Sequence, residues 1–189
     1  MNKKIISVGG GAANILAYIG KELGETNNLD LVAINTSQLF KGSKNFKPIR
    51  IGQKVAPNGT RRNSELGKEA FYGSFEIFDK LLKGVDQLVL ISCFGGGTGS
   101  GVVPELVKLL NKSDIQFKSV ICMPFNFEKR SVEIADEALH KIENDARELT
   151  IINLEDFLKE MPRENSLKDL FDSVNRCILK IIKSEIKSQ

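Results

Sequence analysis

Gln87-Leu88-Val89-Leu90-Ile91-Ser92-Cys93-Phe94-Gly95-Gly96-Gly97-Thr98-Gly99-Ser100-Gly101 is the stretch that decides the fold. Its first six residues are apolar at the centre without alternation, the pattern of a strand covered on both faces. After the glycines, apolar positions recur at helical spacing from about Val102 to Leu110. A buried strand that turns through glycine into a helix opens a parallel βαβ unit. Five glycines in seven residues make a costly structural turn, since each forfeits up to about 1 kcal/mol of backbone entropy relative to alanine. A helix start presents unpaired amide hydrogens and partial positive charge, and glycine lets an anion approach the backbone closely. Thr98 and Ser100 add hydroxyl donors. The cluster therefore reads as a phosphate-binding loop.

The same grammar recurs along the chain. Lys4 to Val8 is a short buried strand that ends in Gly9-Gly10-Gly11. Ile15, Leu16, Ile19 and Leu23 then mark a helix from Ala12, stopped by Gly24. Leu29 to Ile34 is a second strand. Residues 43–67 are polar and read mostly as a long loop, with a short edge strand at Ile49 and Ile51. One amphipathic helix is expected from Leu66 to Leu82, closed by Gly84. Further strands are expected at Phe117–Met123 and Leu149–Asn153, a helix at Ser131–Arg147, and a last helix over about 167–186. Pro162 to Asn165 is a loop, not a domain boundary. The alternation predicts an α/β fold, a three-layer Rossmann-like parallel sheet with helices on both faces, in a single domain over residues 1–189.

Composition bounds the function. The chain is 41% hydrophobic and 27% charged, as in ordinary soluble proteins, and its formal net charge of +3 is too small to argue for nucleic acid. No run approaches the ~18 apolar residues of a membrane span and no secretory leader pattern opens the chain, so a cytoplasmic protein without membrane contact is expected. Cys93, Cys122 and Cys177 are odd in number and far apart, which suits a reducing compartment rather than a disulfide framework or metal site. The single histidine, His140, sits in a charged helical stretch. Neither glycine cluster has GxGxxG spacing, and neither is followed by GKS or GKT. A dinucleotide-binding oxidoreductase is thus a minor alternative, with no candidate catalytic His or Tyr.

Gly95 to Gly101 resembles the GGGTGSG signature of the tubulin/FtsZ family, and other segments fall in that family's order. Val8 to Asn14 is similar to its first glycine loop. Ala33-Ile34-Asn35-Thr36-Ser37-Gln38-Leu39 resembles AVNTDAQ, Gly59 to Gly67 resembles GAGANPEVG, and Pro124 to Glu128 resembles PFxFEG. The resemblance runs from about residue 4 to about residue 182 and implies GTP or GDP as ligand. It implies that Gly10, Gly11 and Asn14 line the diphosphate and base side, and that Gly96, Gly97, Thr98, Gly99 and Ser100 cradle the α- and β-phosphates. Asn63 would sense the γ-phosphate, and Glu128 would hold the ribose with Arg130 beside it. Phe171 would stack on guanine while Asn175, one helical turn on, bonds its edge. By pattern alone Phe171 belongs to the core stripe, Asn175 flanks it, and Glu128 is a surface carboxylate. Mg²⁺, where present, would be held mainly by phosphates and water. Gly97→Val or Thr98→Ala is expected to abolish retained nucleotide without unfolding.

The chain departs from the family at four places. Ala12 and Ala13 replace glycines. Arg61-Arg62 stands where the family has small residues, either as a cationic pair at the γ-phosphate or as solvated loop charge. The segment after Glu128 is one residue short, and the Asn-Asp pair expected near Asn153–Asp156 is blurred. The sequence ends at Gln189, where the family continues into an acidic loop that completes the neighbouring subunit's site and then into a second domain. Weak or partner-dependent GTP hydrolysis is therefore expected, in a protein that self-associates, gates assembly by nucleotide, or regulates a filament-forming homologue.

Overall fold

The computed structural model describes residues 2–24, 29–38 and 43–187. Leu39, the end of the AVNTDAQ-like stretch, lies outside them. In chain order the elements are β1 (Lys3–Val8), α1 (Gly10–Leu23), β2 (Leu29–Asn35), β3 (Lys47–Arg50), α2 (Ser64–Tyr72), α3 (Phe75–Leu82), β4 (Gln87–Cys93), α4 (Gly97–Asn111), β5 (Gln116–Met123), α5 (Lys129–His140), β6 (Leu149–Asn153), α6 (Leu154–Glu160) and α7 (Leu167–Lys187). Every strand pairs in parallel, in the order β3-β2-β1-β4-β5-β6. That order reverses direction between β1 and β4, the point at which α/β sheets open a crevice beyond their strand ends.

The central strands are apolar on both sides because each side is covered. Ile6, Val8, Leu88, Leu90, Ile121 and Met123 join a core cluster with residues of α2, α3, α4 and α5. Their neighbours Ile5, Val89, Ile91, Val120 and Cys122 point the other way, into a second cluster with α1 and α7. Successive side chains of a strand alternate faces, so one unbroken apolar run supplies two cores. The three layers are those expected.

Four boundaries differ from the pattern reading. α4 begins at Gly97, five residues earlier than expected, so most of the glycine cluster is helix rather than loop. These glycines let α2 and α4 touch backbone to backbone. A β-carbon at Gly67 would run into the Gly97 carbonyl, and one at Gly101 into the Ser64 carbonyl. The helix expected from Leu66 to Leu82 is two helices. The Ser74 hydroxyl accepts a hydrogen bond from the Gly52 amide at 3.1 Å and holds the break, while Phe71 on α2 and Phe78 on α3 bury together with ring centroids 4.5 Å apart. α5 stops at His140. Ile142 is buried on the turns that follow, so the apolar spacing outlasts the helix. The seven-residue α6, directly after β6, was too short to register as a period, although Phe157 and Leu158 pack against the second cluster.

Candidate functional site

β1 and β4 end side by side, and each delivers the chain through glycine into a helix at the reversal point of the sheet. The first main-chain bonds of these helices are Ala13 N–H to Gly9 C=O and Ser100 N–H to Gly96 C=O. The amides of Gly10, Gly11, Gly97, Thr98 and Gly99 therefore precede the first helical bond, and two helix N-termini converge on one spot. Between them lies a cleft of about 660 Å³, a size common for small-molecule sites. Its floor includes Cys93 and Cys122, and its far wall is Asn58–Arg62. Glu128 and Phe171 stand at the α5 and α7 side. The charged side chains that line it are Arg61, Arg62 and Glu128, and the two arginines add positive charge to that of the helix ends.

The structure sorts the expected site residues into two groups. Gly10, Gly11, Gly96, Gly97, Thr98, Gly99, Glu128 and Phe171 line the cleft. Phe171 is 44% exposed, with its edge against the Phe125 ring at 6.3 Å, and is not part of the core stripe that its spacing suggested. The reason is that α7 packs through Leu170, Val174 and Ile178, which leaves Phe171 at the margin of the contact. Asn14, Asn63, Ser100, Arg130 and Asn175 stand off the cleft wall. The Ser100 hydroxyl is buried and accepts from the Gly95 amide at 2.9 Å, so it shapes the turn. The Asn63 carboxamide oxygen caps α2, accepting from the Glu65 and Leu66 amides at 2.9 and 3.2 Å. Arg130 and Asn14 are exposed on their helices, and Asn175 is half-buried one turn beyond Phe171.

Other cleft residues escaped the sequence reading of single roles. Thr98 sits in a hydroxyl cluster, 2.7 Å from Thr36 and 3.3 Å from Thr60, so its hydroxyl already has protein partners. Polar residues directly after a buried strand, as at Asn35-Thr36-Ser37, were the available signal. Arg61 and Arg62 both adopt left-handed backbone, with φ of 49° and 65°. Such conformations cost about 1 kcal/mol or more each for residues with a β-carbon and cluster at functional sites. Neither side chain has an ion pair or side-chain hydrogen bond among the described residues, so two strained, unpaired cations face the cleft.

A second opening, about 820 Å³, lies at the other end of the sheet between the C-terminal ends of α3 and α4. Helix C-termini expose carbonyls and repel anions, so it does not compete as a phosphate site.

A parallel sheet of this order, with two helix N-termini at its switch point, defines a Rossmann-like α/β domain. The family model for the GTPase domain of the Tubulin/FtsZ family matches residues 2–161, and the chain belongs to that family. It is 29% identical over 178 residues to the cell division protein FtsZ of Buchnera aphidicola subsp. Baizongia pistaciae, covering 93% of this chain and 46% of the relative. The chain thus spans about half the length of the curated relatives it matches. An empty FtsZ dimer from M. jannaschii superposes with a TM-score of 0.84 at 26% identity, over 96% of this chain and 53% of that one. A protofilament of CetZ2 from Haloferax volcanii bound to GTPγS gives 0.82 at 22% identity, over 96% and 57%.

Proposed function

We propose that this chain is a guanine-nucleotide-binding domain, holding GTP or GDP, of a protein that assembles into or regulates filaments. The observation that carries the reading is the meeting of two glycine-led helix N-termini in one cleft, with Arg61 and Arg62 at one end and Phe171 at the other. Phosphates fit the end with free amides and cations. Glu128 suits paired ribose hydroxyls, and the half-exposed Phe171 ring offers a stacking face for a base. Gly96 supports the fit, since a β-carbon there would meet no protein atom within 4 Å and would only narrow the cleft. In this reading Asn175 reads the base edge, while Asn14, Asn63, Ser100 and Arg130 support the site from positions beside the cleft. Mg²⁺ would sit among phosphate oxygens and water.

Self-association is proposed because the H. volcanii relative forms a protofilament and the M. jannaschii relative a dimer. Glu128 is the one carboxylate lining the cleft among the described residues, and it stands at the ribose side. Cleavage of a phosphoanhydride needs an oriented water beside the terminal phosphate. Hydrolysis is therefore proposed to depend on groups outside these 189 residues. The test is to denature the purified protein and identify the released compound by chromatography. Guanine nucleotide is expected. NAD would favour the oxidoreductase alternative, and no release combined with no uptake of added GTP would sink the proposal. Sedimentation with GTP, alone and with a full-length family member, reads assembly.

A further inference from the structure

β4 and β5 carry Cys93 and Cys122 as direct partners in the parallel register, and both sulfur-bearing residues line the cleft. Adjacent strands lie about 4.8 Å apart, inside the ~4.4–6.8 Å window of Cα separations that a disulfide spans. Both side chains point to the same face of the sheet, toward α1 and α7. The neighbouring Cys93 thiol, together with burial, holds the Cys122 pKa well above the ordinary thiol range. Cys122 is 2% exposed, whereas Cys93 is half-buried and reaches the cleft. A β-carbon at Gly11 would lie 3.0 Å from the Cys93 sulfur, so this sulfur sits directly beneath the first turn of α1. All three cysteines are free.

We infer that Cys93 and Cys122 form an oxidisable dithiol on the cleft floor, a modification site whose co-substrate is a hydroperoxide and whose product is an intrachain disulfide. The Cys93 thiolate attacks one peroxide oxygen, the O–O bond breaks, hydroxide leaves, and Cys93 becomes a sulfenic acid. The Cys122 sulfur then attacks the Cys93 sulfur. The S–S bond forms, the S–O bond breaks, and water leaves with the Cys122 proton. The two thiols lose two electrons, and the hydroperoxide gains them. The new bond draws the Cys93 sulfur toward β5 and away from Gly11, altering the floor on which the first turn of α1 rests.

The consequence for ligand binding rests on the proposed function: a nucleotide in the cleft covers Cys93, and oxidation weakens nucleotide retention. The experiment treats the full chain, freed of nucleotide, with hydrogen peroxide, and counts thiols after denaturation. Thiols are expected to fall from three to one, with the mass reduced by two hydrogens, Cys93 and Cys122 linked in non-reducing peptide maps, and full recovery on dithiothreitol. In Cys122→Ser, a Cys93 sulfenic acid is expected to accumulate and be trapped by dimedone. Three surviving thiols, a link that includes Cys177, or a crosslinked dimer as the main product would overturn the inference. GDP at about ten times its dissociation constant is expected to slow thiol loss about tenfold. A disulfide that forms at the same rate with GDP, in protein that binds no nucleotide, leaves the dithiol standing and refutes the nucleotide reading instead.

Discussion

A β-carbon added at Gly96 meets no atom within 4 Å, whereas one added at Gly97 would lie 2.5 Å from the Asn63 carbonyl oxygen. The two neighbours therefore respond differently to substitution. Gly96 has extended backbone, φ −98°, so Gly96→Val is expected to fold with stability changed by less than about 0.5 kcal/mol and to lose retained nucleotide. Gly97→Val presses on backbone and is expected to destabilise by roughly 2 kcal/mol or more, as overpacking does. This corrects the expectation that Gly97→Val would spare the fold, because that glycine serves the contact between α4 and the start of α2. Urea denaturation with chromatography of bound nucleotide separates the two effects. Arg61 and Arg62 have no ion pair among the described residues and are held in strained backbone. Arg61→Ala and Arg62→Ala are each expected to weaken GTP by about 10-fold or more, the worth of a charge-assisted bond, with a smaller loss for GDP. Equal losses for both nucleotides, measured by calorimetry, would show that neither arginine reads the terminal phosphate.

At the scale of elements, the glycine contact between α2 and α4 is reinforced by a buried carboxylate. Glu105 on α4 accepts from the Tyr72 hydroxyl of α2 at 2.6 Å and from Lys108 at 3.1 Å. Burial pushes the Glu105 pKa up, but those two donors and the charges of Lys108 and Lys68 outweigh it and leave the pKa below the usual carboxylate value. The Tyr72 pKa is raised, first by its bond to Glu105. A depressed folded-state carboxylate pKa contributes stability above the unfolded value of about 4.3, and that stability is lost as pH falls through the folded pKa. The stability of the wild type is expected to decline on that acid limb, and Glu105→Gln is expected to flatten it. Tyr72→Phe removes one donor and is expected to cost roughly 1–2 kcal/mol at neutral pH. Urea midpoints from pH 3 to 7 test both, and an unchanged acid limb in Glu105→Gln would show that other groups carry it.

For the whole molecule, the ligand is expected to be part of the stability. Two helix N-termini and the side chains of Arg61 and Arg62 are brought together in one cleft, and a bound polyphosphate is expected to relieve their repulsion. At 100 times its dissociation constant, a nucleotide adds about 2.7 kcal/mol, which for a domain of this size corresponds to a rise in Tm of about 5–10 °C. Thermal scans with GDP, GTP and NAD measure it, and a rise with NAD alone would speak for the oxidoreductase alternative. Phosphate release is expected to be slow from these residues alone and faster with a full-length relative present.

What the sequence determined by itself was periodic or local. Continuous apolar runs such as Leu88–Ile91 announced strands covered on both faces, and the glycines after Val8 and Phe94 announced that a helix would follow each strand, though α4 starts five residues earlier than its apolar spacing indicated. These follow from side-chain alternation and backbone freedom, which neighbouring residues set. Tertiary structure decided the rest. Whether Gly96 or Gly97 has room for a β-carbon depends on where α2 crosses α4. Whether Phe171 joins the core or stays at its margin depends on the roll of α7 on the sheet. Whether Ser100 and Asn63 meet a ligand or spend their oxygens on backbone amides depends on turns closed by residues up to five positions away. The pairing of Cys93 with Cys122 arises only because β5 docks beside β4 in one register. Each of these is a contact between segments, and its energy enters only when the chain has brought them together.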